Sequence, residues 1–483
     1  MQSPEEFNRD LEKRLKTCDR HYRSRYHKEF LQNIDALGQY RRETDLEDAI
    51  REAAGKRIIY VSNQHHVDGE GEIAYRLIKE GTGGKRTVFI ETAKVGRDQP
   101  ALDAFIEGRM GERELRRALE FTRWGYRWKS VESVFRAAKE TGARIIATTD
   151  PMKVDLARRD ALAAKVVSDY LLKHPDHTGF VVHGPEHLAP QALPEKIAAL
   201  SGERDRLIIL TGVEQWYWPM MRHDAKKDGV KVNDEVYCFY VVSPMIANLT
   251  LLAKWDYEDL EEESRSRCAV QESIRFFMKA LDVDEADIEY PYVYSPRSRL
   301  AAEALKEASG NNSIGRKIAY YARKGLPVYI PADVKTAIIK PEDIKSVGAI
   351  AAQAISYSGV HPPAAKDETR DGIGRTIWQD ILEESVSSLG AMMVNPQLRT
   401  PNAGRTDLSI KGIEDACRDA RPETEEYYER CRAAGNSLGE RAYDALQGGS
   451  MTRGLMRFIF RQGGKDGGSA YRATAMLAGL PTH

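Results

Sequence analysis

Phe180–Pro190 reads FVVHGPEHLAP: an apolar run that stops on His183 and is followed at once by Glu186 and His187. The run has the length and composition of a strand buried on both faces, and the abrupt change to titratable side chains is what the border of a sheet looks like from the sequence. Five more apolar runs of this kind surround it: RIIYVS (57–62), TVFIE (87–91), RIIATTD (144–150), RLIILTG (206–212) and EVYCFYVVS (235–243). Helical patterns separate them at about 70–80, 100–119, 130–141 and 155–173, the third closed by Gly142. Alternation of doubly buried strands with helices predicts an α/β fold, a mostly parallel sheet flanked by helices.

The flanks read differently. Residues 1–55 are rich in Glu, Arg and Lys with spaced apolar positions, which predicts an N-terminal helical lead-in. The α/β domain is expected over 56–256, a mostly helical C-terminal region over 257–463 with one apolar exception at LPVYIP (326–331), and a flexible, glycine-rich tail over 464–483. Within the C-terminal region, helices are expected at 257–282, 297–308, 313–324, 341–357, 374–394 and 423–446.

Composition narrows the function classes. Lys+Arg (72) and Asp+Glu (73) nearly cancel over 483 residues, so no global field favours a nucleic-acid partner. The five cysteines, Cys18, Cys238, Cys268, Cys417 and Cys431, show no CxxC spacing, which argues against a disulfide framework or a structural zinc site and for a reducing compartment. The charged N-terminus lacks the apolar core of a secretory signal and no stretch is long enough to span a bilayer, so a soluble, cytoplasmic chain is expected.

Strands of a parallel sheet finish at one edge, and ligands bind beyond those carboxyl ends. Here they finish on Asn63, His65 and His66, on Glu91, on Asp150, and on His183, Glu186 and His187. Histidine is scarce, eleven in the whole chain, yet four lie at two strand ends. Imidazole with carboxylate is a donor set for Zn²⁺, Mn²⁺ or iron, so His65, Glu91, His187 and Glu186 are the candidate metal ligands. His183 and His66 read individually as hydrogen-bonded loop residues. Trp124, Tyr126 and Trp128 read as a packing knot between helices, whereas Trp216, Tyr217 and Trp218 in EQWYWPMM (214–221) are placed to line a flat apolar pocket at the same rim.

Several familiar motifs are missing. GTGGKRT (81–87) has neither the spacing of a P-loop nor a helix after it, no GxSxG elbow or HExxH occurs, and the first strand carries no dinucleotide fingerprint.

Taken together, these segments resemble the ChaN-like branch of the haem-binding uptake/Tiki superfamily, over roughly residues 57–255. The resemblance is carried by Glu91 followed by RDQPALDAFIEG, by the tryptophan turn RWGYRW (123–128), and by Gly184-Pro185-Glu186-His187 before LAP, with a weaker echo in IWQDILEESVSSLGAMMVNP (377–396). It implies haem or iron binding linked to uptake, commonly in a lipoprotein, and Tyr217 or Tyr126 become candidates for the haem ligand because phenolate can bind ferric iron. The family's Gly-Glu-x-His stands here as Ser62-Asn63-Gln64-His65, so an amide replaces the glutamate that hydrolytic relatives use.

Three functions compete on this basis. The first is a binding protein for haem or a divalent transition metal; the second is a metal-dependent esterase or peptidase with Glu186 or Asp150 as proton acceptor. The third is a degenerate scaffold whose helical half binds a protein.

Overall fold

The computed structural model describes residues 3–19, 21–81, 83–121, 128–150, 155–222, 227–256, 262–281, 290–294, 296, 298–308, 313–330, 335–339, 347–358, 370–395, 398, 424–447, 450–452, 455–456, 459–460, 473–474 and 476–477. The chain divides into two compact units, Asp19–Ala247 and the combination of Met1–Cys18 with Asn248–His483. The stretch 1–55 is thus shared between them. Its first helix, α1 (Pro4–Cys18), buries Phe7 against Phe276, ring centroids 5.0 Å apart, inside the second unit.

The unit Asp19–Ala247 is the expected α/β fold. In order it contains α2 (Arg25–Leu37), β1 (Arg42–Thr44), α3 (Leu46–Ala53), β2 (Ile58–Ser62), α4 (Glu70–Glu80), β3 (Lys85–Lys94), α5 (Gln99–Ile106), α6 (Glu112–Ala118) and α7 (Trp128–Thr141). There follow β4 (Arg144–Thr149), α8 (Leu156–Lys173), β5 (His177–His183), α9 (Leu193–Ser201), β6 (Arg206–Thr211), α10 (Glu214–Arg222), β7 (Gly229–Lys231) and β8 (Val236–Phe239). Residues 100–119, expected as one helix, form two, because Gly108 takes the left-handed conformation (φ 77°) that ends α5.

Eight strands form one sheet in the order β1-β7-β8-β6-β2-β5-β3-β4. All pairs are parallel except β1 with β7 and β7 with β8. β1 at the edge and β7 beside it, only three residues each, are too short to show a period of two and escape a sequence reading.

The central strands are doubly buried as their composition demands. Ile59, Val61, Val88, Ile90, Phe180, Val182, Leu207 and Ile209 face one core with α4, α5 and α7, while Ile58, Tyr60, Phe89, Val181, Ile208 and Leu210 face the other with α8, α9 and α10. At roughly 1.5–3 kcal/mol for each fully buried large aliphatic or aromatic side chain, these two layers dominate the stability of the unit.

α11 (Pro244–Asp256) contains the division between the units. The second unit continues with α12 (Glu262–Leu281), β9 (Tyr292–Tyr294), α13 (Arg299–Ala308), α14 (Ser313–Lys324), β10 (Val328–Ile330), β11 (Thr336–Ile338), α15 (Val347–Ser358), α16 (Arg370–Val394) and α17 (Glu425–Gln447). LPVYIP indeed supplies a strand, β10, but it has company: β10, β11 and β9 make a small sheet. α15 and α16 approach closely at Gly348 and Gly390, where a Cβ on Gly390 would stand 2.8 Å from Gly348 O. In the tail expected to be flexible, the described residues Ala473, Thr474 and Leu477 are buried. No described helix is long and apolar enough to cross a membrane.

Candidate functional site

Strand order explains why distant residues meet. β2, β5, β3 and β4 are consecutive neighbours, and the register sets Ser62 beside His183 and Val182 beside Ile90. Glu91 follows Ile90 where the pairing of β3 with β4 shifts register, an irregularity that re-aims side chains at a sheet border. His65 just past β2 and Gly184 just past β5 therefore converge on Glu91 in the last part of β3. A Cβ built on Gly184 would lie 3.6 Å from Glu91 Oε2, 3.6 Å from His187 Cδ2 and 3.8 Å from His65 Nε2.

Glu91 is the pivot, and its two oxygens serve different partners. Oε1 pairs with the guanidinium of Arg159 and lies 3.3 Å from His187 Nε2. His187 Nδ1 donates to Asp160 Oδ1 at 2.6 Å, and Asp160 Oδ2 accepts from Tyr26 Oη (2.9 Å) and Lys196 Nζ (3.1 Å). Oε2 accepts the backbone N–H of Gly184 at 2.7 Å and also faces His65 Nε2 at 3.3 Å and His183 Nδ1 at 3.9 Å.

The tautomers on the Oε2 side follow from the outer contacts. Asn63 Nδ2 donates to Ser130 O at 2.7 Å, which fixes the amide and leaves Oδ1 to accept from His65 Nδ1 at 3.1 Å. A carboxylate at position 63 could not donate to Ser130, so the asparagine is built into this network. Thr148 donates its hydroxyl proton to Ile90 O at 2.8 Å and can then only accept from His183 Nε2, also at 2.8 Å. Neutral His183 accordingly turns a lone pair towards Glu91 Oε2, the oxygen that also stands within hydrogen-bond distance of His65 Nε2. His183 Nδ1 is buried and makes no hydrogen bond.

Electrostatics differ across the carboxylate. Burial alone would raise the Glu91 carboxyl, but the charges of His187 and Arg159 hold it well below the usual carboxylate range. Burial likewise opposes charge on His187, yet Glu91 and Asp160 raise that imidazole to about 9, so it is a cation at neutral pH. His183 is the reverse case: burial pushes it down to about 3 and it stays neutral.

The other expected residues fall elsewhere. Glu186, grouped with the metal ligands on sequence, turns away from Glu91: its Oε1 meets His21 Nε2 at 2.8 Å and His27 Nδ1 at 2.7 Å. Asp150 faces Lys94 Nζ at 3.5 Å. Trp216 and Tyr217, expected to line a flat pocket, are instead fully buried core residues of α10, Trp216 Nε1 donating to Gly38 O at 2.8 Å and Tyr217 packing edge-on against Trp218 and Tyr240. With no exposed face, neither can stack on a flat ligand. Tyr126 and Trp124 lie outside the described residues; Trp128 stacks on Phe135 in the core, as a packing knot does.

Arg159, Asp160, Tyr26, Lys196, Thr148 and Ser130 also take part and were not singled out from sequence. One signal was present. Asp160 shares its helix face with Ala163, Ala164 and Val167, at i+3, i+4 and i+7, so the spacing alone puts a carboxylate on the buried side of α8.

Neither a curated protein nor a solved structure gives a significant match to the chain. The family match is confined to the segment that carries Asn63, His65 and Glu91: residues 49–156 match the model of the family described as haem-binding uptake, Tiki superfamily, ChaN.

Proposed function

We propose that the α/β unit binds a metal centre, as a transition-metal ion or as haem iron, at the Oε2 side of Glu91. One observation carries this reading: His65 Nε2 and His183 Nδ1 both face one carboxylate oxygen, at 3.3 and 3.9 Å. A neutral imidazole lone pair that faces a carboxylate oxygen, as at His183, is unfavourable until a cation stands between them, and two imidazoles with a carboxylate are the donors that zinc, manganese and iron share. Outer-shell partners that orient a ligating imidazole are also in place, Asn63 for His65 and Thr148 for His183. His187, paired through Asp160 and sharing Glu91 Oε1 with Arg159, holds the carboxylate ionised from behind and is a supporting residue in this arrangement.

Bound metal would supply Lewis acidity or, as haem iron, redox chemistry. The chain's own contribution is to hold Glu91 charged and to leave His65, whose side chain is 12% exposed, as the donor nearest solvent. Haem draws support from the family description alone, since the aromatic wall expected of Trp216 and Tyr217 is buried. Hydrolysis has weaker support. Glu186 and Asp150 are engaged by other partners, and a carboxylate held as acidic as Glu91 is a poor proton acceptor at neutral pH.

The test is to strip the purified full chain with a chelator and titrate it separately with Zn²⁺, Fe²⁺ and hemin. Saturable uptake of an ion, or a Soret band that shifts in His65→Ala, supports the reading. Unchanged binding in His65→Ala and Glu91→Gln, or none in the native chain, overturns it.

A further inference from the structure

The two histidines of the N-terminal segment, His21 and His27, have no hydrogen bond to the Glu91 centre, and both converge on Glu186. Among the described residues, His21, His27 and Glu186 form the trio of histidine and carboxylate side chains whose ligand atoms all lie within 4.8 Å of one another. His21 Nε2 and His27 Nδ1 share a single acceptor, Glu186 Oε1, at 2.8 and 2.7 Å. The second oxygen, Oε2, is buried and accepts no hydrogen bond. A carboxylate so enclosed with one oxygen unsatisfied carries a desolvation cost that a cation would offset.

The three ligands are fixed by local structure. His27 stands in the first turn of α2, where Ser24 Oγ accepts its backbone N–H at 3.1 Å as the N-cap. His21 opens the preceding 3-10 turn, its backbone N–H bonded to Asp19 Oδ1 at 2.8 Å. Glu186 lies in the 3-10 turn Pro185–Leu188, one residue before His187. Neighbouring residues on the same two elements thus serve two centres: Tyr26 and His187 the first, His27 and Glu186 the second.

We propose that His21, His27 and Glu186 form a second metal site, for Zn²⁺ or a similar borderline divalent ion. Two imidazoles and one carboxylate leave a position open in a tetrahedral shell, the pattern of sites that take water or an exchangeable ligand. Binding needs no redox partner: each imidazole moves the proton from its Glu186-facing nitrogen to the other ring nitrogen, and the lone pair so released goes to the ion. His21, with a side chain 36% exposed, gives the ion a way in, and the carboxylate of Asp19 adds negative charge beside it. The inference goes beyond the Glu91 reading and stands without it.

The experiment is a Zn²⁺ titration of the chelator-stripped full chain, read as equivalents bound, beside Glu186→Gln, His27→Gln and His21→Ala. His65→Ala separates this site from the other. The proposal expects one equivalent to weaken at least tenfold in each of the first three and to persist in His65→Ala, with Zn²⁺ shielding His21 from diethyl pyrocarbonate. Because His21 is part-exposed, its variant keeps the test valid should a buried substitution fail to fold. Equal stoichiometry and affinity in Glu186→Gln and His21→Ala, or no shielding of His21, overturns the proposal even if His65→Ala has lost an equivalent of its own.

Discussion

His65 Nε2 stands 3.3 Å from Glu91 Oε2, although His65 follows β2 and Glu91 lies in β3, two strands that do not touch. β5 lies between them and presents Gly184, a residue without a side chain, at the point where they meet. The absence of a side chain there leaves space beside both.

Gly184→Ala tests that space. The backbone at Gly184 (φ −59°, ψ 149°) suits any residue, and the new methyl would sit at ordinary contact distances of 3.6–3.8 Å from Glu91, His187 and His65. We expect a folded protein with melting temperature close to native and metal or hemin affinity lowered tenfold or more. Native affinity in this variant would show that the ligand does not use the space.

Glu91→Gln removes the counter-charge of two buried cations, Arg159 and His187. Losing one member of a buried ion pair costs about 3–5 kcal/mol. Denaturant titration of the metal-free protein at neutral pH should show a loss of that order, and a loss under 1 kcal/mol would mean that the pair is solvated in solution.

Glu70, buried at the start of α4, gives a pH signature. Burial raises its carboxyl to about 8, against a backbone hydrogen bond from Gln64. A carboxyl raised in the folded state contributes its full share of stability below the unfolded value near 4.5, loses it as pH climbs to about 8, and is flat above. The fall is on the order of a few kcal/mol. Glu70→Gln should abolish it, so unfolding free energies of native and variant, compared at pH 5 and pH 8.5, should converge or cross in the variant's favour at the higher pH. An equal difference at both would contradict the assignment.

Trp216→Ala should cost about 3–5 kcal/mol, as for a buried aromatic. Metal affinity of the folded fraction should stay native. A selective loss of hemin binding without loss of stability would restore Trp216 to the ligand site.

Much of the α/β unit is legible in the sequence because both faces of its strands are buried. RIIYVS, TVFIE and FVVH are apolar at successive positions, which brings His65, Glu91 and His183 to one border, although β3 runs past Glu91 to Lys94 and His183, read as a loop residue, closes β5. Strand order is less legible. That β5 separates β2 from β3 depends on crossovers and decides which oxygen of Glu91 each imidazole meets. Residues on covering helices are harder still, for Tyr26, Arg159 and Lys196 reach the centre only through tertiary packing of α2, α8 and α9. EQWYWPMM misleads because an aromatic helix after a strand can face either rim or core, and α10 faces the core. Glu186 and His187, adjacent in sequence, part company because a 3-10 turn sends consecutive side chains in different directions.

The most direct test is an anomalous difference map from crystals of the full chain grown with Co²⁺ or hemin, recorded at the metal's absorption edge. The account predicts a peak within bonding distance of His65 Nε2 and Glu91 Oε2, next to Gly184. Occupancy at His21, His27 and Glu186 alone, or no peak at the sheet border, would contradict it.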